Sequence, residues 1–217
     1  MIALVQKEFT LELRRKAVFG GLLLYLVSNA FVCYLTFSLR HESISPPVWA
    51  ALFWVLILFA TVNASAKSFI GEKSGTDIYY YSIASPGPII LSKIIYNYFL
   101  SSVLASTVFL LFTVFLGNPI QEIVMFSLAV FLGAGAFGST LTTVSAIASK
   151  ASNSNVLVAV LGFPVIITTI LPVVKITRNA IDGLDWSTAQ PDLLILLAIN
   201  ALVVAVSYLL FPYIWRS

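Results

Sequence analysis

Six long apolar runs divide the chain, at about residues 18–39, 48–66, 94–116, 123–148, 156–174 and 193–214. Each is near the ~20 residues a helix needs to cross a hydrocarbon core of ~30 Å. Backbone polar groups inside lipid have to be satisfied within the spanning segment, so the pattern predicts six membrane-crossing helices. The first 17 residues read differently. Ile2, Val5, Phe9 and Leu13 recur at helical spacing, with Lys7, Glu8, Glu12 and Arg15 more to the other side. That predicts an amphipathic helix lying along the inner leaflet before the chain turns into the bilayer.

Composition agrees with the pattern. Hydrophobic residues make up 59% of the 217 and charged residues only 10%, with a mean hydropathy of +0.99, which excludes an ordinary soluble domain. The charges then orient the spans. With the N-terminus inside, Lys7, Arg14, Arg15, Lys16, Lys67, Lys73, Lys93, Lys150 and Arg216 fall on cytoplasmic segments, and Arg40, Lys175 and Arg178 on outer loops. This bias places both termini in the cytoplasm. It also accounts for the net charge of +3 without nucleic acid, for which no basic stripe interleaved with aromatics exists. The run after Arg14-Arg15-Lys16 is too long for a signal-peptide core and has no Ala-x-Ala exit, so the first span is expected to be retained as an anchor.

The polar connections are short. The outer loops are 40–47, 117–122 and 175–192, the last carrying Asp182, Asp185 and Asp192 in a setting that suits a short interfacial helix. The longest inner loop, 67–93, combines charges, three successive tyrosines (Tyr79 to Tyr81) and a Pro-Gly-Pro turn. Ser74 or Thr76 can cap a short helix running to Ile83, which Ser85-Pro86-Gly87-Pro88 is expected to end. Composition alone supports an interfacial connector and a partner-docking helix equally. With no domain-sized soluble stretch, residues 1–217 form one membrane domain.

Chemistry is sparse. The sole cysteine, Cys33, lies inside the first span and reads as a small buried apolar side chain. The sole histidine, His41, stands beside Glu42 in an outer loop and reads as a solvated loop residue rather than a metal ligand or pH sensor. Gly133-Ala-Gly135-Ala-Phe-Gly138 matches a dinucleotide fingerprint only in letters, since no soluble strand precedes it and no acidic residue follows at about twenty positions. Gly135, Ser139 and Thr143, one turn apart, and Gly138 with them, are better explained as small residues that let a neighbouring helix approach closely. Gly71-Glu72-Lys73-Ser74 lacks the upstream glycine of a phosphate loop. Asn29, Asn63, Asn97, Ser101, Ser102, Thr142 and Asn200 suit interhelical hydrogen bonds. No Asp, Glu, Lys or Arg falls near the middle of a run, which argues against an ion-driven pump.

The approach to the first span, the six spans with both ends inside, and Glu72-x-x-Gly75 followed by a hydrophobic helix, Pro86-x-Pro88 and Leu91-Ser92-Lys93 resemble the CcmB family. These are the membrane subunits of the haem exporter of cytochrome c maturation, grouped with type-2 ABC exporter permeases. The likeness in length and layout covers the whole chain, and its sequence-specific part lies within about 69–93. The Tyr79–Tyr81 stretch and a slightly shortened Pro-rich turn depart from the family pattern. The resemblance implies an all-α fold with an N-terminal elbow helix (1–17) and a cytoplasmic coupling helix between spans two and three, in a bacterial inner membrane. It implies no catalytic or nucleotide site in this chain. ATP acts through a separate ABC ATPase subunit in haem export or release of the haem-loaded chaperone, with haem as possible cargo, and the partners are a second copy, other cytochrome c maturation subunits and lipid. By carry-over, Glu72, Gly75, Asp77 and Pro86 lie in or beside the coupling helix. The alternatives are a type-2 permease for another hydrophobic or lipid-linked substrate, a membrane scaffold, and an intramembrane enzyme, the last weakened by the missing catalytic pairs.

Overall fold

The computed structural model describes residues 2–13, 16–39, 44–65, 85–149 and 154–216. Within them the chain forms seven helices and no strand: α1 (Ile2–Leu13), α2 (Lys16–Ser38), α3 (Pro46–Ser65), α4 (Pro86–Leu116), α5 (Ile123–Ala148), α6 (Ser154–Ile181) and α7 (Trp186–Arg216). The six helices from α2 to α7 are each long and apolar enough to cross a membrane. They run alternately up and down, so that α1, the start of α4 and the ends of α5 and α7 share one end of the bundle. The end of α2, the start of α3 and the α4–α5 and α6–α7 connections occupy the far end.

Helix α5 is the axis of the bundle. In its most apolar window 67% of residues are buried, against 17% in α2 and in α7, so α5 is wrapped by protein while α2 and α7 turn most of their surface outward. The sequence explains the difference. Lipid tails are as apolar as leucine, so helices in a membrane associate through close packing rather than hydrophobic expulsion, and small residues permit that approach. Every residue from Gly133 to Thr142 is buried. Conversely Leu24, Val32, Leu194, Leu202 and Leu209 are each about 60% exposed or more, as lipid-facing positions should be.

At the far end, Trp49, Phe53, Phe112 and Phe126 are fully buried and interlock, with Trp49 stacked on Phe53 at 5.2 Å and Phe126 tilted against Phe53 at 5.2 Å. Trp49 donates its indole N–H to the Gly117 carbonyl (3.1 Å). The α4–α5 turn is tied to the end of α6 by the Gln121 and Glu122 N–H groups, both donating to the Ala180 carbonyl. Gly183, with φ +64°, closes the α6–α7 turn against the Gln121 side chain, where a Cβ would lie 2.5 Å from Oε1. The left-handed backbone favours glycine there, whereas the Gln121 side-chain end is free to turn aside.

Three expectations change. The third span begins at Pro86 and not Ile94: Pro86-Gly87-Pro88 starts a helix instead of only ending one, because a proline without N–H is tolerated where no intrahelical partner exists. The outer stretch 175–192 shrinks to four residues, Asp182 to Asp185, between α6 and α7. Its charges ride on helix ends, where Lys175 pairs with Asp192 (3.6 Å) and Arg178 with Asp182 (3.5 Å), while Ile176, Ala180 and Ile181 are buried. In α1 the inward stripe is Leu4, Val5, Glu8 and Phe9: Glu8 is 6% exposed and Ile2 77%. The stripe is rotated from the apolar one because Glu8 finds a cation on α4.

Candidate functional site

Of the residues assigned to the ATPase contact, Glu72, Gly75 and Asp77 lie outside the described residues. Pro86 is the first residue of α4, half-buried, preceded by Ser85 in extended geometry (φ −71°, ψ 150°) without a side-chain cap. The turn that follows it is enclosed. Ile89, Ile90 and Ile94 form a second apolar cluster with Ala146 of α5 and Phe211 of α7, and Leu4 of α1 packs against it. Gly87 lies under the Tyr208 ring of α7, where a Cβ would overlap Cε2 at 2.5 Å. Residues 86–93, expected in an exposed cytoplasmic loop, are thus a packed helix.

Helix α1 seats on this turn. Phe9 meets the edges of Tyr96 (5.0 Å) and Phe99 (5.4 Å). One turn closer to the bundle end, the Glu8 carboxylate bridges two ammonium groups, Lys7 at 2.8 Å and Lys93 at 3.4 Å. Lys93 is 2% exposed. The sequence reading missed both members of this pair as site residues. Their only local signal is that Lys93 directly precedes an apolar run and Glu8 falls one residue from Phe9.

Deeper between α4 and α5 lies a layer of small and polar groups. Gly138 fits against the α4 backbone, where a Cβ would be 2.7 Å from the Asn97 carbonyl oxygen and 2.5 Å from Ser101 Oγ. Gly135 faces the Tyr98 ring so closely that a Cβ would overlap it. Asn97 Nδ2 donates to Thr142 Oγ1 (2.8 Å), which donates to the Gly138 carbonyl (2.7 Å). Ser139 is fully buried and bonds to the Ala136 carbonyl within its own helix (3.2 Å). Thr143 reaches Ser207 of α7, and Asn200 of α7 donates to the Leu132 carbonyl of α5 (3.1 Å). Asn29 and Ser102 instead bond to carbonyls of their own helices. Cys33 is half-buried in α2, and His41 lies outside the described residues.

The site is thus mechanical in character. A buried ion pair, a clasp of aromatic edges and a glycine contact bind α1, α4, α5 and α7 into one unit at the end where α4 begins. Among the described residues no three His, Cys, Asp or Glu side chains converge on a metal-sized point.

A bundle of six spanning helices with an accessory N-terminal helix and tightly keyed α4–α5 packing defines a multi-pass α-helical membrane protein. The family model described as CcmB protein matches residues 1–214. The chain belongs to the CcmB family, the haem-exporter permease subunits of cytochrome c biogenesis, and is a transport subunit and not itself an enzyme. Neither the curated proteins nor the solved structures yielded a significant match.

Proposed function

We propose that this chain is the permease subunit through which a separate ABC ATPase drives release of the haem-loaded chaperone during cytochrome c maturation. It sits in a bacterial inner membrane with both termini cytoplasmic, beside a second copy, two ATPase subunits and the other maturation subunits. The observation that carries the reading is a family match over nearly the entire chain on a bundle with six spans. The excess of Lys and Arg on segments at the α1 end supports its orientation. In this reading the segment with Glu72, Gly75 and Asp77, followed by Pro86 at the head of α4, meets the ATPase, and none of the four is catalytic. ATP hydrolysis displaces the first turns of α4, and the packed layer beneath them carries the displacement into the bundle.

Cells lacking their own copy should contain no covalently haem-bearing c-type cytochromes, and the intact chain should restore them, as read by peroxidase staining after denaturing electrophoresis. Normal staining in cells without the chain would refute the proposed role.

A further inference from the structure

We infer that Glu8 and Lys93 act as a latch that makes α1 and the first half of α4 move as one rigid body. The inference rests on the proposed ATPase-driven reading for its purpose, and on geometry for its substance. Burying two opposite charges is poor economy as a way of stabilising a fold. Desolvation offsets most of the attraction, and apolar residues of similar volume usually serve as well. Such a pair is better suited to fixing register, because its attraction in an apolar place depends on one alignment of the two groups. Here the surroundings could already hold α1: Leu4 packs on the Ile89, Ile90 and Ile94 cluster, and Phe9 on Tyr96 and Phe99. Apolar contacts of that kind tolerate sliding by a turn, whereas a carboxylate held between Lys7 and Lys93 has one register. The latch also stands in a telling place. Lys93 lies on the second turn of α4, directly after the segment assigned to the ATPase contact, so a displacement entering at Pro86 reaches Glu8 before it reaches the α4–α5 layer. Glu8 and Lys93 are therefore positioning residues.

The test uses the full complex in nanodiscs, with the chain in a Cys33→Ser background carrying spin labels at Ile2→Cys and Ile95→Cys. Both positions are exposed, one on α1 and one on the first half of α4. The distance distribution is read with and without ATP and vanadate. The latch predicts one narrow distance that nucleotide leaves unchanged, broadened in Glu8→Gln and narrowed again in the reversed pair Glu8→Lys with Lys93→Glu. In cells, Glu8→Gln and Lys93→Gln should lower mature cytochrome per molecule of chain in the membrane about tenfold, a typical size for coupling between sites, and the reversed pair should regain most of it. A nucleotide-dependent change in the wild-type distance would overturn the latch, as would wild-type cytochrome yield per chain in both single variants. If a single variant fails to accumulate, the wild-type distance measurement still decides. Failure of the ATPase to associate with the unmutated chain would instead overturn the proposed function and leave the distance result standing.

Discussion

At the far end of the bundle, Trp49, Phe53, Phe112 and Phe126 fill the space between α3, α4 and α5 with interlocking rings. At the α1 end the same α4 and α5 meet through a glycine on a carbonyl and an Asn–Thr hydrogen bond, and one turn further out a buried ion pair ties α4 to α1. The ring cluster is a means of filling volume: dispersion contacts are many and individually weak, and they can be redistributed when one ring is lost. The polar end is a means of fixing position. Each of its contacts has one geometry, and the groups left behind by a mutation cannot turn to water. A subunit that must receive a displacement at one end while keeping its helices together at the other has use for both.

The largest expected effect breaks the polar end. Gly138→Leu forces a side chain into the Asn97 backbone, which cannot give way as a side chain can, so the chain should fail to accumulate in the membrane, measured by immunoblot of the membrane fraction. Gly135→Leu meets the Tyr98 ring instead, and should be milder and improved by a compensating Tyr98→Ala. Phe53→Ala at the far end should accumulate with lowered stability. In a soluble core such a truncation costs about 3–5 kcal/mol, but in lipid the transfer contribution is largely missing and only packing is lost. Equal loss of accumulation in Gly138→Leu and Phe53→Ala, by the same immunoblot, would erase the distinction between the two ends.

The smallest effect sharpens it. Asn97→Ala and Thr142→Val should each destabilise the chain, and a double-mutant cycle should return a coupling of about 0.6 kcal/mol and no more than about 1.7, the span such cycles give for hydrogen bonds between membrane helices. Additive losses would mean that the Asn97–Thr142 bond contributes nothing to the α4–α5 contact.

The pattern of apolar runs was enough to read six spans, because a run of twenty apolar residues needs no tertiary information to be recognised. The one-turn spacing of Gly135, Ser139 and Thr143, with Gly138 beside them, reads as a close helix contact; both glycines lie against α4, while Ser139 bonds within its own helix. What the sequence obscured were positions where a charge is compensated from afar. Lys93 reads as the charged edge of a loop, but its partner Glu8 is 85 residues away, and only the fold brings them together. Glu8 was assigned to the solvent side of α1 for the same reason. Lys175 and Asp192 likewise gave the α6–α7 connection a polar look that helix pairing absorbs. Pro86 misled in another way, since the same residue that stops a helix is well suited to begin one.

The central claim is that this chain is driven from its α1 end by a partner that hydrolyses ATP, and it is tested most directly by the reversal Glu72→Lys. The ATPase that co-purifies with the variant chain and the ATP it turns over are measured beside mature c-type cytochromes in the same cells. The account predicts wild-type amounts of chain in the membrane, together with either loss of the ATPase from the complex or hydrolysis that no longer yields mature cytochromes. Wild-type partner binding, ATP turnover and cytochrome content in the variant would contradict it.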